Sequence, residues 1–140
     1  MTTLDASQRA SFGELADILI PHAEGMPAAT EIDIAGVALD RVLKVRPDLQ
    51  ADLERAMKTD AGDPAAERIA DLQKHDPAAF DAVATAATGG YYTDSRVRGL
   101  IGYPGQTFAP ERLADTITLN EPLIQNVIAR GPLYRPTPTN

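Results

Sequence analysis

The chain has 140 residues, enough for about one domain that buries roughly 70% of the surface its unfolded form exposes. Its 13 Lys and Arg against 20 Asp and Glu leave a net charge of −7, which repels phosphate backbones, and no local basic face offsets it, so no nucleic-acid partner is expected. The absence of cysteine excludes disulfides, thiol nucleophiles and thiolate metal sites, and no apolar run approaches the roughly 18 residues of a membrane span.

The pattern reads as helical from end to end: Ala is abundant, and alternating Val/Ile/Thr runs bounded by turns are missing. Phe12, Leu15, Ile18 and Leu19 recur at helical spacing and predict a first helix from about Gln8 to Ile20, stopped by Pro21. A loop rich in proline and glycine follows. The next helix runs over about 34–45, with Val37, Ala38, Leu39, Val42 and Leu43 facing inward, and after Pro47–Asp48 a third keeps Leu49, Leu53 and Met57 on one face. Two further starts share one grammar. Asp63–Pro64 and Asp76–Pro77 each set a capping carboxylate before a first-turn proline, which predicts helices over about 64–74 and 77–88.

The stretch GGYYTDSRVRGLIGYPG, residues 89–105, carries three of the four tyrosines and five of the ten glycines. Gly89-Gly90 is read as a helix stop, with Tyr91-Tyr92 leaving in extended conformation so that one ring points inward and the other outward. Thr93 or Asp94 then caps a short helix from Ser95 to Leu100, on which Arg96 and Arg98 fall about 200° apart. Gly102-Tyr103-Pro104-Gly105 turns the chain sharply. Short helices over 110–115 and 121–129 follow, the latter started by Asn120. The proline-rich tail 131–140 is expected to be extended. The fold class is all-α: a bundle of about seven short helices, with residues 1–130 as one domain and 131–140 as its tail.

Chemistry-bearing groups are sparse. His22-Ala23-Glu24 has the His-x-Glu spacing of zinc deaminases without the cysteine pair they require, and His75 lies far away in sequence. Asp17, Asp40, Asp52, Glu54, Asp71 and Asp81 fall mostly on polar helix faces, and Ser7, Ser11 and Ser95 belong to no nucleophile motif. The glycines of 89–105 match neither a dinucleotide fingerprint nor a Walker loop. No catalytic, metal or cofactor residue is therefore assigned, although a small free-standing enzyme using His22 and Glu24, with Arg98, stays open as an alternative, as does a self-associating or regulatory helical module. Tyr and Arg in one locally positive stretch of an acidic chain suit a protein contact, because rings give rigid area at low entropic cost.

Three sets of residues resemble the gluconate 2-dehydrogenase subunit 3 family: Leu15 to Pro21 with its Ile-Leu-Ile-Pro ending, Ala35-Gly36-Val37 at a helix start, and the spaced set Gly90-Tyr91-Tyr92-Thr93-Asp94, Val97-Arg98 and Gly102-Tyr103-Pro104-Gly105. Together they span roughly residues 12 to 108, and the last set is the most specific. The resemblance implies a non-catalytic small subunit that binds and stabilises a larger FAD-dependent sugar or glycoside dehydrogenase of the glucose–methanol–choline type. The FAD is expected in that partner and no cofactor in this chain. Tyr91, Tyr92, Arg98, Tyr103 and Pro104 are the residues expected at the contact. Many relatives carry a twin-arginine signal, which the start MTTLDASQRASF lacks, so a cytoplasmic complex is expected, or a periplasmic one if a signal has been removed.

Overall fold

The computed structural model describes residues 4–58, 62–107, 122 and 124–131. They fall in two units, Met1–Pro104 and Gly105–Asn140. Among the described residues there is no strand, only one isolated bridge between Ala23 and Met26, and the chain is all-α. No helix is long and apolar enough to cross a membrane among the described residues.

In the first unit, helix α1 spans Ala6–Leu19. It begins earlier than its apolar spacing predicts, because Asp5 accepts the Gln8 N–H while the Gln8 side chain accepts the Asp5 N–H, closing a capping box. Phe12, Leu15 and Ala16 are fully buried, whereas Ile18 lies on the outer face. The loop after α1 turns tightly at Glu24 and Gly25, both at positive φ, and leads through a 3-10 turn at Thr30–Ile32 to a wide turn at Ile34–Ala38 that is kinked at Gly36. Arg9 of α1 fastens this wide turn, donating to the Ala35 carbonyl at 2.6 Å and pairing with Asp40. Helix α2, Leu39–Val45, follows. Val37 was expected to face inward and is exposed instead, since the wide turn shifts it out of the helical register that carries Ala38 and Leu39 into the core.

A 3-10 turn at Pro47–Leu49 runs into α3, Gln50–Lys58, whose Leu53 and Met57 are buried together with Leu49, as the spacing predicts. Helix α4 spans Ala65–His75 and α5 spans Pro77–Thr93. The two Asp-Pro starts behave differently. Asp76 caps α5 by accepting the Ala79 N–H, but Asp63 makes no capping bond to α4, because Pro64 is itself the N-cap and holds Asp63 one residue too far out. Arg68 of α4 is buried and ties α4 to α1 through the Ser11 hydroxyl and, at 3.3 Å, the Glu14 carboxylate. Burying a guanidinium is costly unless its N–H groups are satisfied, which these two acceptors do in part; its Nε is buried with no acceptor among the described residues.

Helix α5 is the hub. It packs against α1, α2, α3, α4 and the wide turn, which follows from its composition: Ala79, Ala82, Val83, Ala86 and Ala87 are small, buried and allow close approach from several sides. The predicted stop at Gly89-Gly90 is corrected by the structure, since α5 continues to Thr93 with both glycines and both tyrosines inside it. Gly90 answers a packing need. A Cβ there would come within 2.7 Å of Ile34 Cδ1 and 3.5 Å of Ala38 Cβ, so glycine lets α5 lie this close to the wide turn without displacing Ile34. The short helix α6, Ser95–Leu100, is capped by Asp94, which accepts from the Arg96 and Val97 N–H groups, and Val97 anchors it in the core.

Asp76 also binds Arg55 of α3, through Nε at 3.0 Å, so one carboxylate joins α3 to the start of α5. The Arg55 hydrogen bond, followed by that of the Ala79 N–H, lowers the Asp76 pKa below the ordinary carboxylate value. A depressed folded-state pKa gives stability that is present above the unfolded value, about pH 4, and is lost as pH falls through the folded value. Arg46 lowers Asp48 in the same direction. Thermal melts should therefore fall below about pH 4, and Asp76→Asn should be less stable at neutral pH with a shallower acid-side loss. A variant whose acid limb matches the parent's would show that this carboxylate does not link the two helices.

In the second unit, residues 124–129 are helical and Gly131, at positive φ, follows the helix end. The expected helix over 110–115, the Asn120 start and tail residues 132–140 lie outside the described residues.

Candidate partner-docking surface

Between Asp81 and Asp94 the chain carries no charged residue, yet α5 exposes Thr85, Thr88, Tyr92 and Thr93 along its outer side. A helix surface in water ordinarily carries charge there. Two grooves flank this uncharged ridge. One, of about 270 Å³, runs between α5 and α2 and is lined by Arg41, Val42, Val45 and Arg46 opposite Thr85, Gly89 and Thr93. The other, of about 330 Å³, lies toward the end of α1 and the following loop, with Leu19, Pro21 and Met26 opposite Thr88, Tyr91 and Tyr92.

The two adjacent tyrosines separate as expected, one in and one out, but by a helical step of about 100° and not by strand alternation. Tyr91 is 2% exposed and its hydroxyl donates to the Pro27 carbonyl at 2.7 Å, pinning the loop after α1. Burial raises its hydroxyl pKa. Tyr92 is 57% exposed, its ring edge-on to Tyr91 with centroids 5.4 Å apart. The buried ring thus props the exposed one.

From Thr93 the chain turns through Asp94 into α6, and the Gly102-Tyr103-Pro104-Gly105 turn forms as predicted, with Gly102 and Gly105 at positive φ. The Tyr103 N–H donates to the Arg98 carbonyl at 2.9 Å. The Arg98 guanidinium stacks 5.4 Å from the centroid of the half-exposed Tyr103 ring. Such cation–π contacts contribute about 0.5–1 kcal/mol at exposed sites, enough to orient the ring. Pro104, Leu100 and Ile101 are exposed beside it. Arg96 points elsewhere, toward the Glu31 carbonyl at 3.5 Å.

Of the five residues expected at a contact, Tyr91 therefore belongs to the chain's own core. Tyr92, Tyr103 and Pro104 are exposed, and Arg98 is half-buried beneath Tyr103. The groove residues of α2 were not singled out by sequence; the available signal was the unexplained helical Gly89, which a stop-signal reading absorbed.

His22, the other candidate, pairs with Glu31 at 2.9 Å and not with Glu24. Glu31 is held below its ordinary pKa by that His22 hydrogen bond, then by the Ala28 N–H. His75 pairs with Asp71 within α4. Among the described residues no group of three His, Asp or Glu is arranged to hold a metal ion. No family model matches the chain, and neither a curated protein nor a solved structure matches it.

Proposed function

We propose that this chain is a non-catalytic accessory subunit that docks on, and stabilises, a larger FAD-carrying dehydrogenase of the glucose–methanol–choline type acting on sugar or glycoside hydroxyls. The observation that carries the proposal is the uncharged outer side of α5 with Tyr92 standing on it, continuous in sequence with the Arg98–Tyr103 pair. An acidic chain that keeps charge off one exposed helix face and sets a propped tyrosine ring there has the composition of an interface centre, where charge is depleted and Tyr is enriched. The resemblance of the GYYTD, VR and GYPG residues to the gluconate 2-dehydrogenase small subunits supplies the kind of partner. In this reading the assembly works in the cytoplasm; recovery of the chain from the periplasm by cell fractionation would remove that part and leave the docking intact.

The test is co-expression with a flavin-dependent dehydrogenase of the glucose–methanol–choline type from the same genome, followed by size-exclusion chromatography. A single co-eluting, flavin-coloured species is expected. Tyr92→Ala and Tyr103→Ala should each weaken the complex tenfold or more, about 1.4 kcal/mol, while changing the stability of the isolated chain by no more than about 1 kcal/mol, the size of the single ring contact each one loses. Separate elution of the two proteins would overturn the proposal.

A further inference from the structure

Arg68 is held in a way that leaves its helix easy to lift. Three residues of α4 are buried, Arg68, Ile69 and Leu72, so a guanidinium takes one of its three inward places. The Arg68 side chain is 1% exposed, whereas its partner Glu14 is 63% exposed and reaches in from solvent. The Ser11 hydroxyl accepts from a second nitrogen, and Nε has no acceptor among the described residues. A buried donor without an acceptor is rare in native proteins. It burdens the closed form alone, because water satisfies the group as soon as the site opens.

The two ends of α4 differ. Its start has no side-chain cap, with Pro64 in the place that Asp5, Asp76 and Asp94 take at α1, α5 and α6. Its far end runs into Asp76, whose N–H donates to the Leu72 carbonyl at 2.9 Å and whose carboxylate is held by Arg55 and the Ala79 N–H. A segment with few buried apolar groups, one loose end and one pinned end opens more readily than the whole molecule unfolds. We propose that α4 is a lid hinged at Asp76, which lifts from α1 while the rest of the first unit stays folded, and that the burial of Arg68 sets how often it lifts. The open form hydrates the guanidinium and uncovers Ile69, Leu72 and the Ser11 side of α1. Glu14 favours the closed form. An apolar chain of similar length in place of Arg68 shuts the lid more firmly, since exchanging a buried ion pair for packed apolar groups is often neutral or stabilising and the orphaned Nε tips the balance here. The lid is independent of the accessory-subunit reading.

The experiment is native-state hydrogen exchange of the full chain, read by NMR over a series of low urea concentrations, for the parent, Arg68→Met and Glu14→Gln. A helix as short as α4 is not stable alone in water, so its amides exchange once it lifts. Those of Ile69 to His75 should share one opening, at least tenfold more populated than the opening that exposes Ala82 to Tyr91 of α5, and less dependent on urea. Relative to α5, Arg68→Met should slow the α4 amides tenfold or more, and Glu14→Gln should speed them by a similar factor. Parent α4 amides that exchange together with those of α5 would mean that no lid exists. Faster α4 exchange in Arg68→Met, or failure of that variant to fold, would mean that the guanidinium holds the helix down and would overturn the inference. An unchanged rate in either variant would overturn it as well, by removing the buried pair as the setting of the lid.

Discussion

Tyr91→Ala should lower the stability of the isolated chain by about 3–5 kcal/mol, the range for truncating a buried aromatic ring. The ring is 2% exposed, and its hydroxyl satisfies the carbonyl of Pro27, which is itself fully buried in the loop between α1 and the wide turn. Truncation therefore opens a cavity beside α5 and leaves a carbonyl without a donor. Tyr91→Phe separates the two effects: it keeps the ring and should cost about 1–3 kcal/mol for the orphaned acceptor. Urea denaturation of the three proteins checks both values. A loss below 1 kcal/mol for the alanine variant would mean that the ring is not part of the core. Set beside Tyr92→Ala, the comparison is between neighbours in sequence that differ in what they serve, one the fold and the other the proposed contact.

The second large effect is expected at Gly90. Gly90→Leu should destabilise by about 3 kcal/mol, the upper part of the usual range for overpacking a tight contact. Even a Cβ would lie 2.7 Å from Ile34 Cδ1, and Ile34 is fully buried, so a leucine side chain has to displace it within the core. The same substitution one residue earlier, at Gly89, meets open groove. A pair of glycines that reads as one feature is thus two independent notches about 100° apart on a helix, and denaturation curves of the two leucine variants should move in opposite directions or differ by several kcal/mol. Equal losses would show that both positions face packed protein.

These glycines also show what could and could not be read from the chain. Helix starts were legible where the signal is local: Asp76 caps α5 and Asp94 caps α6, each through bonds to N–H groups within three residues. The apolar spacing of Phe12, Leu15, Leu49, Leu53 and Met57 marked core faces correctly, because periodicity carries burial directly. The end of α5 was not legible. A glycine that stops a helix and a glycine that admits a neighbour are the same letter, and the neighbour, Ile34, stands far earlier in the chain. Val37 was misplaced for a related reason: a helical wheel assumes one uninterrupted register, and the wide turn breaks it. The docking surface was legible as a composition, Tyr and Arg gathered in one stretch, but its α2 wall was not, since Arg41 and Val45 meet Gly89 and Thr93 only after folding.

The wide turn itself has a consequence for α2. The Leu39 N–H reaches back to the Ile34 carbonyl, an i to i+5 bridge that takes one more residue than an α-helical turn. Each extra residue rotates everything downstream by about 100°. The azimuth at which α2 leaves the turn, and with it the side on which Arg41, Val42 and Val45 stand, is thereby set before α2 begins. Arg9 holds that setting from α1, through the Ala35 carbonyl and Asp40. The first helix acts as the index pin of a dial whose pointer is the α2 wall of the groove.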